Sequence, residues 1–78
     1  MKSISGNIFD NNTLSYGQKI KKIREFKGLK AYYVAGKLGL SRAMYSKIEN
    51  DHTDITVARL EEIAAVFEVP VSLFFQGN

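Results

Sequence analysis

The side chains that could do chemistry in this sequence fall into two groups. His52 stands between Asp51 and Asp54 in a polar stretch. A nucleophilic set needs a serine or cysteine and an orienting carboxylate gathered in one pocket, and a lone loop histidine supplies neither. The absence of cysteine excludes disulfides and thiolate metal sites, and one histidine cannot build a zinc site. No cofactor or metal is therefore expected, and without a Gly-rich phosphate loop no enzyme is expected either. The second group is a short run holding Ser41, Arg42, Ala43, Met44, Ser46 and Lys47. Arginine can hold guanine O6 and N7 through two parallel hydrogen bonds, lysine can reach the same acceptors, and Ala43 or Met44 can touch a thymine methyl. This is the chemistry of reading base edges. Arg42, Ala43 and Lys47 are the first choices for base contacts and Ser46 the next; the alternative is that Arg42 and Lys47 contact phosphates only.

Those residues need a helix to carry them, held at its back by others. Val34, Ala35 and Leu38 form a narrow apolar stripe of helical period, and Gly39 stops that helix with a left-handed backbone. After Leu40, Ser41 offers an N-cap hydroxyl to a second helix whose inward face is Tyr45 and Ile48. Two helices joined around a glycine by so short a gap form a helix-turn-helix, in which the second helix can enter the major groove.

The small Ala35, the turn Gly39, the apolar set Val34, Leu38, Leu40 and Ile48, and the ending Ser46, Lys47, Ile48, Glu49, Asn50 resemble the Cro and lambda-repressor-like (XRE-type) helix-turn-helix regulators. The likeness runs from about Gly17 to Phe75. It implies an all-α, five-helix DNA-binding domain with a helix-turn-helix. It also implies a partly buried ion pair between Arg24 and Glu49, and a buried Phe74 that leaves Leu73 and Phe75 on the surface. The sequence departs from the family's usual pattern at Lys30 and Ala31, where Thr or Ser followed by Gln is common, and at Tyr45, where a β-branched aliphatic is common.

The remaining chain supports the motif. Residues 1–14 are polar, with Ile4, Ile8, Phe9 and Leu14 as apolar interruptions, and are expected to be a flexible arm; Ile8 and Phe9 could alternatively pack on a partner. Residues 15–78 are the expected DNA-binding domain. Ser15 and Gln18 form a capping-box pattern opening a helix from Tyr16 to about Lys27, with Ile20, Ile23 and Phe26 or Lys27 setting its spacing and Ile20 and Ile23 facing inward. Lys19, Lys22 and Lys27 are expected on its solvent side. In the next helix, Ala31 to Leu38, Tyr33 is expected to wedge partly against the first; Tyr32 is a candidate donor to phosphate. Thr56 caps a long helix with Val57, Leu60, Ile63, Ala64 and Phe67 as its core face, and Pro70 begins a short final helix, Val71 to Phe75. Leu73 and Phe75 are apolar groups near the chain end and form the expected dimer interface.

At 78 residues the chain is one small domain, near the size where association often supplements the core. The formal charge of +3 hides an asymmetry. Residues 17–47 carry nine Lys or Arg against one acid, and residues 48–78 carry six acids against one Arg. One side should therefore meet a polyanion, although lysines on helix surfaces can also serve solubility alone. No apolar run is long enough to span a membrane and no secretory signal is apparent, so the expected compartment is the cytoplasm. The leading function is a sequence-specific, double-stranded-DNA-binding regulator, a repressor acting as a homodimer on a two-fold operator. The alternatives are an antitoxin-type protein that also grips a toxin, and a protein-interaction adaptor that has lost DNA binding.

Overall fold

A computed structural model describes residues 14–76. Apart from Leu14, which is partly buried against the core, the expected N-terminal arm lies outside the described residues. Four α-helices follow one another: α1 (Tyr16–Phe26), α2 (Ala31–Lys37), α3 (Arg42–Glu49) and α4 (Val57–Phe67). A 3-10 turn, Val71–Phe75, closes the described chain. The sequence predicts a fifth helix there, but the segment is five residues long, starts after Pro70 and has no side-chain cap. So short a piece cannot establish the i to i−4 ladder, and the tighter turn is what remains.

Local chemistry sets the helix ends. At Ser15 both halves of a capping box are made with Gln18; Ser41 accepts from the Met44 N–H and Thr56 from the Arg59 N–H, each at 3.1 Å. Only α2 begins without a side-chain cap, at Lys30. All four helices stop in one way. A left-handed residue (Gly28, Gly39, Asp51 or Glu68) bonds back into the last turn, and the N–H of the following residue bonds one position earlier.

The core joins Ile20 and Ile23 of α1, Val34 and Ala35 of α2, Tyr45 and Ile48 of α3, four residues of α4 (Leu60, Ile63, Ala64, Phe67), and Phe74 from the final turn. Several expected placements change. Val57 is exposed, because in the first turn of α4 it lies at the edge of the core stripe. Phe26 is 73% exposed, whereas Lys19, expected in solvent, is 7% exposed. The two are seven residues apart on one flank of α1, beside Ile23 rather than opposite the core. The final turn packs over the Lys19 end, and Phe26 lies roughly 10 Å further along the helix. Tyr33 is exposed rather than wedged on α1, with the Lys37 ammonium 5.8 Å from its ring centre. Leu73 is not open surface: it is partly buried and packs against the core.

Candidate nucleic-acid interface

Helix α3 is held by its inner face so that its outer face is free. Tyr45 and Ile48 are buried in the core, and Glu49 beside them is nearly enclosed. Glu49 accepts Arg24 Nε at 2.6 Å and Nη2 at 3.2 Å on its two oxygens, and accepts the Tyr45 hydroxyl at 2.5 Å. Arg24 Nη1 also donates to the Leu29 carbonyl at 2.9 Å, so one guanidinium ties α1, the α1–α2 turn and α3 together. The hydrogen bond to Glu49 raises the Arg24 pKa further, against the desolvation that would lower it. Burial raises the Tyr45 pKa, and its hydrogen bond to Glu49 adds to the rise. Tyr45 is buried as its inward position predicts, and its hydroxyl is satisfied by the carboxylate.

Outside that framework lie the residues singled out from sequence. Arg42, Ala43, Met44, Ser46 and Lys47 are all exposed on α3, and Ala43 and Lys47, four apart, lie opposite the Tyr45 and Ile48 face. Arg42 stands in the first turn, next to the Ser41 cap. Met44 points toward α4, lining a groove with Leu40, Thr56 and Arg59, so it is the least central of the set. The Ser46 hydroxyl accepts from Asn50 Nδ2 at 3.1 Å. Tyr32 is exposed on the first turn of α2, on a different helix from the rest. Among the described residues no group of three or more His, Cys, Asp or Glu could hold a metal ion, and no helix is long and apolar enough to cross a membrane.

Three features were not anticipated from sequence. Asp51 Oδ1 accepts the Gly17 N–H at 3.0 Å and Oδ2 accepts the Ser15 hydroxyl at 2.5 Å, joining the end of α3 to the start of α1. Gly17 makes that approach physically feasible, because a Cβ there would lie 2.5 Å from the Ile48 carbonyl oxygen and 2.6 Å from that of Glu49. At the other end of the chain, Lys19 Nζ donates to the carbonyls of Phe74 at 2.9 Å and Gln76 at 3.0 Å. Phe75, 49% exposed, stands edge-on to Tyr16 with ring centres 6.2 Å apart. The sequence held one hint, a glycine placed inside an otherwise regular first helix.

Comparisons with known proteins agree with this geometry. A protein-family model described as helix-turn-helix matches residues 20–74. The control protein C.MunI of a Mycoplasma species is 33% identical over 63 residues, covering 80% of this chain and 85% of that protein. The crystal structure of SinR, the master regulator for biofilm formation, in complex with DNA superposes with a TM-score of 0.69 at 32% identity, over 80% of this chain and all of that one. The complex of SinR, a Bacillus subtilis protein, with SinI also matches, with the same score and identity, over 80% of this chain and 61% of the matched chain.

Proposed function

The chain belongs to the XRE-type helix-turn-helix family, and from that premise we propose that it is a transcriptional repressor that binds a two-fold operator in double-stranded DNA as a homodimer. The observation that carries this reading is the division of α3. Its inner face is fixed by Tyr45, Ile48 and the Arg24–Glu49 pair, and its outer face presents Arg42, Ala43, Ser46 and Lys47 to solvent. Arg42 and Lys47, five residues apart on α3, offer donors to guanine edges, and Ala43 offers a methyl to thymine. Tyr32 supplies a phosphate donor from α2, and the lysine-rich surface of residues 17–47 supplies the sequence-independent attraction. That SinR has been captured on DNA supports the same use of the fold.

Selection of bound duplexes from a random pool tests the proposal. The expected product is an inverted repeat whose half-site centres are about 34 Å apart, with affinity that falls steeply as salt rises. A pool without enrichment, together with no salt-sensitive duplex binding, would favour the adaptor reading. The SinR–SinI complex favours a second component of function, association with a protein partner. Stoichiometric complex formation with a protein encoded beside this one, accompanied by release of the duplex, would identify the antitoxin-type behaviour.

A further inference from the structure

All four helices end with the same left-handed backbone, yet only two of those positions hold glycine. Gly28 and Gly39 take φ 71 without steric cost, whereas Asp51 (φ 59) and Glu68 (φ 60) hold a side chain where L residues are disfavoured. The Glu68 carboxylate is exposed and makes no hydrogen bond or ion pair among the described residues. Asp51 is different. Its two oxygens take the Gly17 N–H, one of the donors that a helix start leaves without an internal partner, and the Ser15 hydroxyl, which itself accepts from the Gln18 N–H. The residue that stops α3 therefore completes the start of α1, at the place where Gly17 lets the two backbones touch.

A second tie between the same helices lies two residues back, at the last residue of α3, but about two turns or more away on α1. Glu49 reaches Arg24, and Asp51 reaches Ser15 and Gly17, positions nine and seven residues before Arg24. On an α-helix that separates the two ties by roughly 10 Å or more. Beside the core contacts of Tyr45 and Ile48, the Asp51 tie adds a restraint on the angle between the helices that the Arg24–Glu49 pair alone does not supply. We propose that Asp51 is a positioning residue for base recognition, setting the angle of α3 against α1 and hence the register of Arg42, Ala43 and Lys47 on the base edges. This rests on the reading of α3 as the recognition helix.

The test compares Asp51→Gly, Asp51→Asn and Glu68→Gly in the full chain. The probes are the duplex recovered by selection with the unmutated protein and a shuffled duplex of equal composition. Asp51→Gly suits the left-handed backbone, so the variant is expected to fold. Its ratio of affinities for selected over shuffled duplex should fall about tenfold, the discrimination carried by one base-edge contact. Asn keeps an acceptor for Gly17 and tolerates the left-handed region, so Asp51→Asn should restore most of the ratio. Glu68→Gly should leave the ratio unchanged. The Gly17 amide should exchange its hydrogen faster in Asp51→Gly and at the unmutated rate in Glu68→Gly.

An unchanged ratio in Asp51→Gly, or an equal fall for both duplexes, would overturn the proposal. So would a Gly17 amide that stays as protected as before. If the unmutated protein does not discriminate the duplexes, the DNA-reading function fails and the positioning role falls with it, while Gly17 exchange still reports whether the tie exists. Should Asp51→Gly not fold, Ser15→Ala carries the same comparison; it removes one of the two bonds to Asp51 together with the cap bond from the Gln18 N–H. Gln18→Ala is then the control for weakening the capping box alone.

Discussion

Lys47 and Glu49 are neighbours but one projects away from the core and the other into it, so their substitutions should fail in different ways. Lys47→Ala leaves every buried contact of α3 in place and is expected to cost about 1–3 kcal/mol of operator affinity, with relaxed preference at one base pair. Binding to a panel of single-base operator variants measures this; a uniform loss across the panel would make Lys47 a phosphate contact instead. Glu49→Gln keeps the shape but leaves the Arg24 guanidinium, whose side chain is 14% exposed, without its counter-charge. A buried pair broken on one side costs about 3 kcal/mol, so the melting temperature should drop whether or not DNA is present. Tyr45 adds a pH dependence to the same cluster. Its folded-state pKa is raised, chiefly by burial, above the unfolded value near 10. The folded chain therefore holds that proton where the unfolded chain releases it, so the stabilisation is complete below about pH 10 and is lost as pH rises beyond it. Tyrosinate absorbance followed through an alkaline titration should show one tyrosine ionising only as the helical signal disappears, and that step should be absent in Tyr45→Phe.

At the scale of elements, α1 and α3 are tied side chain to side chain, and at Gly17 their backbones approach so closely that a Cβ would not fit. Gly17→Ala would normally favour a helix interior, but here the added methyl meets two backbone carbonyls that cannot swing aside. The expected result is a loss of about 1–3 kcal/mol, read by denaturant unfolding, opposite in sign to what helix propensity alone predicts. The same element shows how far the sequence could be read. Helix periods and caps were legible because each depends on residues within a turn of one another: Ser15 with Gln18, Ser41 before Met44, Thr56 before Arg59. The inner and outer faces of α3 were legible for the same reason. Asp51 was not, since its partners lie 34 and 36 positions earlier in sequence and nothing local distinguishes it from a loop acid. Lys19 and Phe26 were misplaced together. Both sit on a flank of α1 where burial depends on whether another element covers it, and the covering turn comes from the far end of the chain.

For the whole molecule, the first and last described elements build one surface together. Lys19 draws the carbonyls of Phe74 and Gln76 onto α1, and Phe75 is thereby set against Tyr16 instead of extending free. Tyr16 is also substantially exposed, so the first and last elements jointly present two aromatic rings. Leu73, assigned from sequence to the same surface, turns partly into the core, and Leu73→Glu would therefore confuse folding with association. Phe75→Glu separates them, because half of that ring is already in solvent and its loss leaves Phe74 in place. If the proposed homodimer pairs through this end, a charge brought to a two-fold axis faces its own copy, and like charges there oppose association from both sides. Dimerisation and operator affinity should then fall together in Phe75→Glu, by tenfold or more at ~1.4 kcal/mol per decade, while circular dichroism and melting of the dilute monomer stay near those of the unmutated chain. Sedimentation across concentrations, with and without the selected duplex, measures both. An unmutated protein that remains monomeric at concentrations where it fills a palindromic duplex would show that the two half-sites are read by independent copies, and that Tyr16 and Phe75 pack for the fold alone.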